Sequence, residues 1–120
     1  MQDADANIMC FGHTHKPYHR ILNDSTDSTD GTNGADSADS TDAQNHYRHA
    51  INTGSVGKPK DGDPRGGYVL LTIDRNSHIR EKNAIRVDHI RFAYDVEKAA
   101  RAVEASPLPD AYAESLRVAR

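Results

Sequence analysis

The 120-residue chain lacks features that mark several classes of protein. It has one cysteine, Cys10, so it forms no internal disulfide and has no second thiol for a zinc knuckle. No apolar run approaches the roughly 20 residues of a membrane span, and residues 1–5 do not resemble a signal peptide. These absences predict a cytoplasmic protein in which Cys10 is a buried strand thiol.

An excess of positive charge is also absent. The formal net charge of −3 argues against general nucleic-acid binding. Six of the acids lie in residues 24–43, and the remainder of the chain carries about +3. This mild basicity suits a phosphate-containing substrate, although an ordinary solvated surface also explains it.

Residues 24–43 contain six Asp, eight Ser or Thr, two Gly and no large apolar residue. Such a segment cannot bury enough surface to offset its ordering entropy, about 1–2 kcal/mol per residue. It also lacks the ligand spacing of an EF-hand calcium loop. We predict a disordered insertion at 24–43 that interrupts a partial domain formed by residues 1–23 and 44–120.

Two histidines follow the first apolar run of the chain. Residues 7–11 predict a short strand, and Gly12 permits a sharp exit from it. His13 and His15 then lie on the loop at the end of the strand, where α/β folds usually place their chemistry. Neutral imidazole is a common metal ligand, so the pair predicts a metal site.

A second motif, Asn52-Thr53-Gly54-Ser55-Val56-Gly57, lies further along the chain. Together with Gly12-His13-Thr14-His15 it resembles the C-terminal part of a calcineurin-like metallophosphoesterase, closest to the small bacterial and archaeal phosphodiesterase and diadenosine tetraphosphatase-like branch. The resemblance implies an α/β (α+β) fold: the C-terminal portion of a four-layer α/β/β/α sandwich, with mostly antiparallel or mixed strands followed by two short helices.

The resemblance also implies a chemistry. The family hydrolyses phosphodiester or phosphoanhydride bonds with two divalent ions (Mn, Fe, Zn, Ni or Co) and a metal-bound hydroxide. His13 would bind the second metal and His15 the first. The substrate is expected to be a small phosphoester, but its identity and its binding residues are not indicated.

The family's other ligand motifs, Asp-x-His, Gly-Asp and Gly-Asn-His-Asp/Glu, are absent from this sequence. Met1 therefore falls where the middle of a complete domain is expected. Two histidines cannot hold two ions about 3.5–4 Å apart. Three interpretations stay open: an incomplete enzyme, one half of a split enzyme that a complementing N-terminal half completes, or a non-catalytic remnant or interaction module.

The remaining pattern predicts strands followed by helices. The predicted strands are residues 18–22, 48–52, 67–74, 79–83 and 85–93, the first two paired around the acidic insertion. Asp95 and Asp110 are predicted helix N-caps. The other histidines are interpreted as surface or strand residues, and the alternative for His19 and His49 is that they face each other across the first pair of strands. In the glycine-rich loop, Lys58 and Arg65 are candidates to lie near substrate phosphate, although a structural role is favoured.

Overall fold

A computed structural model describes Met1 and residues 3–24 and 45–120. Its elements in chain order are β1 (Ile8–Phe11), β2 (Tyr18–Asn23), β3 (Tyr47–Asn52), β4 (Gly66–Ile73), β5 (Ile85–Phe92), α1 (Val96–Glu104) and α2 (Ala111–Val118). The predicted insertion lies, apart from Asp24, outside the described residues, so its disorder and the proposed domain division stay predictions. None of the helices in the described ranges is long and apolar enough to cross a membrane.

The first sheet has three strands in the order β1-β3-β2. β1 runs parallel to β3, with Phe11 opposite Asn52. β2 runs antiparallel to β3, with Tyr18 opposite the same asparagine, which confirms the predicted pair of strands. Because β1 and β3 are parallel, the loops that follow them lie at the same end of the sheet. The topology thus brings the two sequence motifs together.

The second sheet consists of β4 and β5, paired antiparallel from Gly66 opposite Phe92 to Ile73 opposite Ile85. A turn at Arg75 and Asn76 follows β4. The two sheets meet where the ring Nε2 of His89 lies 3.1 Å from the Asn52 carbonyl oxygen.

The predicted strand at residues 79–83 is wrong, because these residues form turns. The Glu81 N–H bonds to the His78 carbonyl, and the Ala84 N–H bonds to the Glu81 carbonyl. Only Ile79 in this stretch is apolar, so it has no alternating face to bury against another strand. Local turn bonds therefore satisfy the backbone instead of a ladder.

The two helices start differently. The Asp95 carboxylate accepts a hydrogen bond from the Lys98 N–H at 2.8 Å, which confirms the predicted cap of α1. Asp110 stands before α2 as predicted, but its side chain makes no capping bond. Its backbone already has helical dihedral angles, unlike the extended conformation from which a cap side chain reaches forward.

The helices pack against each other through ion pairs and small residues. Arg117 of α2 contacts Glu97 and Glu104 of α1. Hydrogen bonds from Arg117, and then from Arg101, lower the pKa of Glu97 to about 2. Ala100 of α1 is fully buried, which suits a close approach of the two helices.

Cys10 is exposed, so the prediction of a buried thiol is wrong. β1 pairs with β3 alone among the described residues, and it is therefore an edge strand. Cys10 opens onto a groove of about 330 Å³ that also touches Tyr68 and Leu71 of β4. β1 has no second neighbouring strand among the described residues, so nothing on its open edge covers Cys10.

Candidate metal centre

The His13 loop and the glycine-rich loop meet at the ends of β1 and β3. The Thr53 N–H donates to the Phe11 carbonyl at 2.8 Å, and the Thr53 hydroxyl reaches the same oxygen at 3.2 Å. The parallel ladder therefore continues one residue past β3 and fixes where both loops begin.

Both histidines of the Gly-His-Thr-His motif adopt a left-handed backbone conformation. His13 has φ of 75° and His15 has φ of 60°. The Thr14 N–H bonds to the Gly12 carbonyl at 3.0 Å, so His13 is the centre of a tight γ-type turn. A non-glycine residue pays about 1–3 kcal/mol for such a conformation, and strain of this kind clusters at active sites and ligand clamps. The strain in this loop points to a functional role.

The imidazole of His15 is oriented by the other loop. Its Nδ1 lies 2.6 Å from the Lys58 carbonyl oxygen. A carbonyl oxygen only accepts, so Nδ1 carries the proton and, in the neutral ring, Nε2 keeps its lone pair. Metal-binding histidines commonly donate their other N–H to a carbonyl in this way. The Nε2 lone pair of His15 is therefore left unprotonated in the neutral ring, while His13 is exposed to solvent.

Asn52 joins the two loops, a role that the sequence analysis did not assign. Its side-chain amide donates to the Gly12 carbonyl at 3.1 Å and to the Thr14 hydroxyl at 2.7 Å. Its side-chain oxygen accepts from the Gly54 N–H at 2.9 Å. Asn52 is fully buried. The Asn-x-Gly spacing was the available signal, because an asparagine oxygen commonly accepts from the N–H two residues on.

The donors of this chain fit a metal centre only in part. The two imidazoles are suitable ligands, and the tautomer of His15 is the correct one. Within the ranges 3–24 and 45–120, however, no group of three or more His, Cys, Asp or Glu side chains could hold an ion. A complete site needs donors from beyond these residues, so the assignment of His13 and His15 as ligands stays a prediction.

The two loop cations that were candidates for phosphate contact are engaged elsewhere. The Lys58 ammonium lies 4.6 Å from the ring centroid of Tyr112. Arg65 pairs with Asp63 at 2.7 Å, and its side-chain hydrogen bond lowers the pKa of Asp63 to about 2. These contacts agree with the structural role that the sequence favoured.

A separate histidine pair lies on the neighbouring strands β2 and β3. Nε2 of His19 and Nδ1 of His49 are 3.0 Å apart, which confirms that they face each other across β2 and β3. Burial, and secondarily the charge of His89, lowers the pKa of His19. Burial, and then the charge of His19, lowers that of His49. Both rings are therefore favoured in the neutral state at neutral pH.

The fold is that of part of a metallophosphoesterase, as the sequence resemblance predicted. One match is to the crystal structure of the metallophosphoesterase from Sphaerobacter thermophilus, with a TM-score of 0.60 and 22% sequence identity. The match covers 97% of this chain but only 43% of that one. The mixed α/β class, with two sheets and two helices, is confirmed. Neither protein-family models nor curated proteins give a match.

Proposed function

We propose that this chain is part of a metal-dependent phosphoesterase and that it contributes His13 and His15 to a centre of two divalent ions. The observation that carries the proposal is the strained pair of histidines, both at positive φ, at a strand end of a metallophosphoesterase fold. The proposed reaction is hydrolysis of a phosphodiester or phosphoanhydride bond in a small-molecule substrate. The cytoplasmic location and the absence of general nucleic-acid binding belong to the same proposal.

Each described residue has a limited task in this scheme. His15 presents Nε2 because the Lys58 carbonyl holds its Nδ1 proton. Asn52 keeps the two loops in register. Bound divalent ions would supply an activated water and would neutralise charge on the phosphoryl oxygens. The remaining ligands come from polypeptide outside the described residues, and a complementing N-terminal half is the proposed source.

The non-catalytic alternative has one observation in its favour. No group of three donors that could hold an ion is found in the described part of the chain. An interaction module would keep the fold and bind metal weakly or not at all. A measurement of metal binding by the chain distinguishes the phosphoesterase function from the non-catalytic one.

Calorimetric titration of the full chain with Co²⁺ tests the proposal. We expect weak Co²⁺ binding that His13→Ala and His15→Ala each reduce and that the double variant abolishes. His78→Ala is the matched control, because His78 is an exposed histidine on a distant loop. Binding that survives both substitutions, or no binding by the parent chain, would contradict the proposal.

Turnover tests the claim of incompleteness. The chain alone is expected to hydrolyse bis(p-nitrophenyl) phosphate with Mn²⁺ no faster than the His13→Ala variant does. Mn²⁺-dependent hydrolysis that disappears in His13→Ala, or tight binding of two ions per chain, would show that the described residues do not need a complementing half.

A further inference from the structure

Lys58 connects helix α2 to the loop that carries His13 and His15. Its carbonyl oxygen accepts from His15 Nδ1 at 2.6 Å. Its ammonium group lies over the ring of Tyr112, near the start of α2. One residue therefore contacts a proposed metal ligand with its backbone and a distant helix with its side chain.

The backbone around Lys58 holds its carbonyl in one direction. Pro59 follows and is fully buried, and a residue before proline is restricted to extended conformations. The Lys58 N–H donates to the Ser55 hydroxyl at 3.0 Å. The Lys60 N–H donates back to the His15 carbonyl at 3.1 Å. The His15 and Lys58 segments thus form a reciprocal pair of hydrogen bonds.

A second contact ties the same loop to the other end of α2. The Gly62 N–H donates to the carbonyl of Ala119, the left-handed C-cap residue of the helix, at 3.1 Å. The loop is fixed near the start of α2 through Tyr112 and just beyond its end through Ala119. Helix α2 is therefore placed to hold residues 58–62 against His15.

We infer that Tyr112 is a positioning residue for His15: it anchors Lys58, whose carbonyl keeps the proton on Nδ1 and leaves Nε2 free for a cation. The metal role of Nε2 rests on the proposed function, whereas the tautomer itself does not. A neutral imidazole in water favours the tautomer with the proton on Nε2, where it competes with a metal ion. Releasing Lys58 from Tyr112 shifts His15 toward that solution tautomer.

The tautomer is measured directly in the full, metal-free chain by long-range ¹H–¹⁵N correlation NMR. We expect mainly the Nδ1–H form in the parent chain and in Tyr112→Phe, which keeps the ring. Tyr112→Leu is expected to move the population toward Nε2–H. The Co²⁺ dissociation constant should rise about two- to fivefold, the range that an exposed cation–π contact supplies.

Two controls separate positioning from general damage. Tyr68→Leu removes another tyrosine that is 46% exposed, the same value as Tyr112, and should leave the His15 tautomer unchanged. Lys58→Met keeps the backbone carbonyl but removes the ammonium, and should reproduce Tyr112→Leu. The double variant should add little, because both changes break one interaction.

An unchanged tautomer in a folded Tyr112→Leu chain would overturn the inference, and so would an equal shift in Tyr68→Leu. If the tautomer shifts as expected but the parent chain binds no Co²⁺, the positioning role stands and the proposed function fails. The circular dichroism spectrum of each variant verifies that it is folded.

Discussion

At the scale of single residues, Asn52 makes more connections within the candidate site than either histidine does. It lies between Phe11 and Tyr18 in the register of the first sheet, and the edge-to-face contact of those two rings, 5.8 Å between centroids, lies on the same face. This cover explains why a polar side chain is fully buried. Its three hydrogen bonds satisfy it there and fix both loops.

Replacing Asn52 is expected to be costly. Asn52→Ala leaves the Gly54 N–H and the Gly12 carbonyl without this partner, so the free energy of unfolding should fall by about 1–3 kcal/mol. Urea denaturation measures the change. Asn76→Ala, at an exposed turn, is the control and should stay within about 0.5 kcal/mol of the parent chain. Equal effects of the two substitutions would show that the Asn52 hydrogen bonds contribute nothing.

The strain at His13 leads to opposite expectations for stability and binding. His13→Gly removes the penalty of a side chain at φ of 75° and should raise the free energy of unfolding by about 0.5–1 kcal/mol. It should also weaken Co²⁺ binding, because one of the two proposed ligands is lost. His13→Ala loses the imidazole but keeps a side chain at positive φ. It should therefore impair Co²⁺ binding without raising the free energy of unfolding. Thermal unfolding and calorimetry measure the two, and a less stable His13→Gly chain would contradict the strain argument.

The lowered pKa values of His19 and His49 predict how stability depends on pH. The unfolded chain binds protons at these residues at a higher pH than the folded chain does. Their contribution is therefore fully present above the unfolded pKa of about 6.5 and is lost as pH falls below it. The physical cause is the cost of placing a charge at these partly buried rings.

We expect His19→Gln to flatten the fall in unfolding free energy that begins as pH drops below about 6.5. Glutamine keeps a polar side chain at that position but does not titrate. His78→Gln serves as the exposed control and should leave the slope of the parent chain in place. Urea denaturation across this pH range gives the slopes, and a parent chain with no slope would refute the prediction.

At the scale of elements, the two aspartates before the helices show how far a local motif can be predicted. Both precede an amphipathic run, so the sequence assigns both as N-caps. Asp95 makes the bond and Asp110 does not. The two aspartates differ in backbone conformation, because the segments that precede them differ. Two prolines within residues 107–109 constrain the chain directly before Asp110.

Asp95→Ala should therefore destabilise the chain more than Asp110→Ala. Loss of a cap bond costs about 0.5–2 kcal/mol, whereas Asp110 contributes only its charge near the helix start. Chemical denaturation of the two variants provides a matched comparison. A larger effect at Asp110 would contradict the capping geometry.

The strands that carry an alternating apolar pattern could be predicted from the sequence. The conformation of residues 79–83 could not. Strands β2 to β5 carry apolar or β-branched residues at regular intervals, and their predicted limits are within a residue or two of the observed ones. In 79–83 a single isoleucine suggested a strand that the turn bonds of Glu81 and Ala84 exclude. Whether a short polar run extends or turns depends on the partner strand available to it.

At the scale of the whole molecule, β1 has one paired and one open edge in the described chain. The bonds from Asn7 and Phe11 carbonyls run to β3, so the backbone groups of Cys10 point to the open edge. Open apolar edges pair with other chains, and a lysine on the edge blocks this.

We expect the isolated chain to self-associate as its concentration rises, and Cys10→Lys to reduce that association. Sedimentation velocity over a concentration series measures it. Asn76→Lys adds the same charge at a distant turn and should change little. A parent chain that stays monomeric throughout the series would show that the open edge of β1 does not mediate self-association.

The sequence by itself determined the order of strands and helices, the resemblance to metallophosphoesterases and the choice of His13 and His15 as candidate ligands. The spacing of apolar residues and short motifs are local properties of the chain. Tertiary structure alone decided that Asn52 joins the loops, that Lys58 sets the tautomer of His15, and that Cys10 is exposed. Each of these depends on which segments the sheet brings together. Hydrogen bonds across about 40 residues and the absence of a second neighbour for β1 follow from that assembly, and no local pattern encodes them.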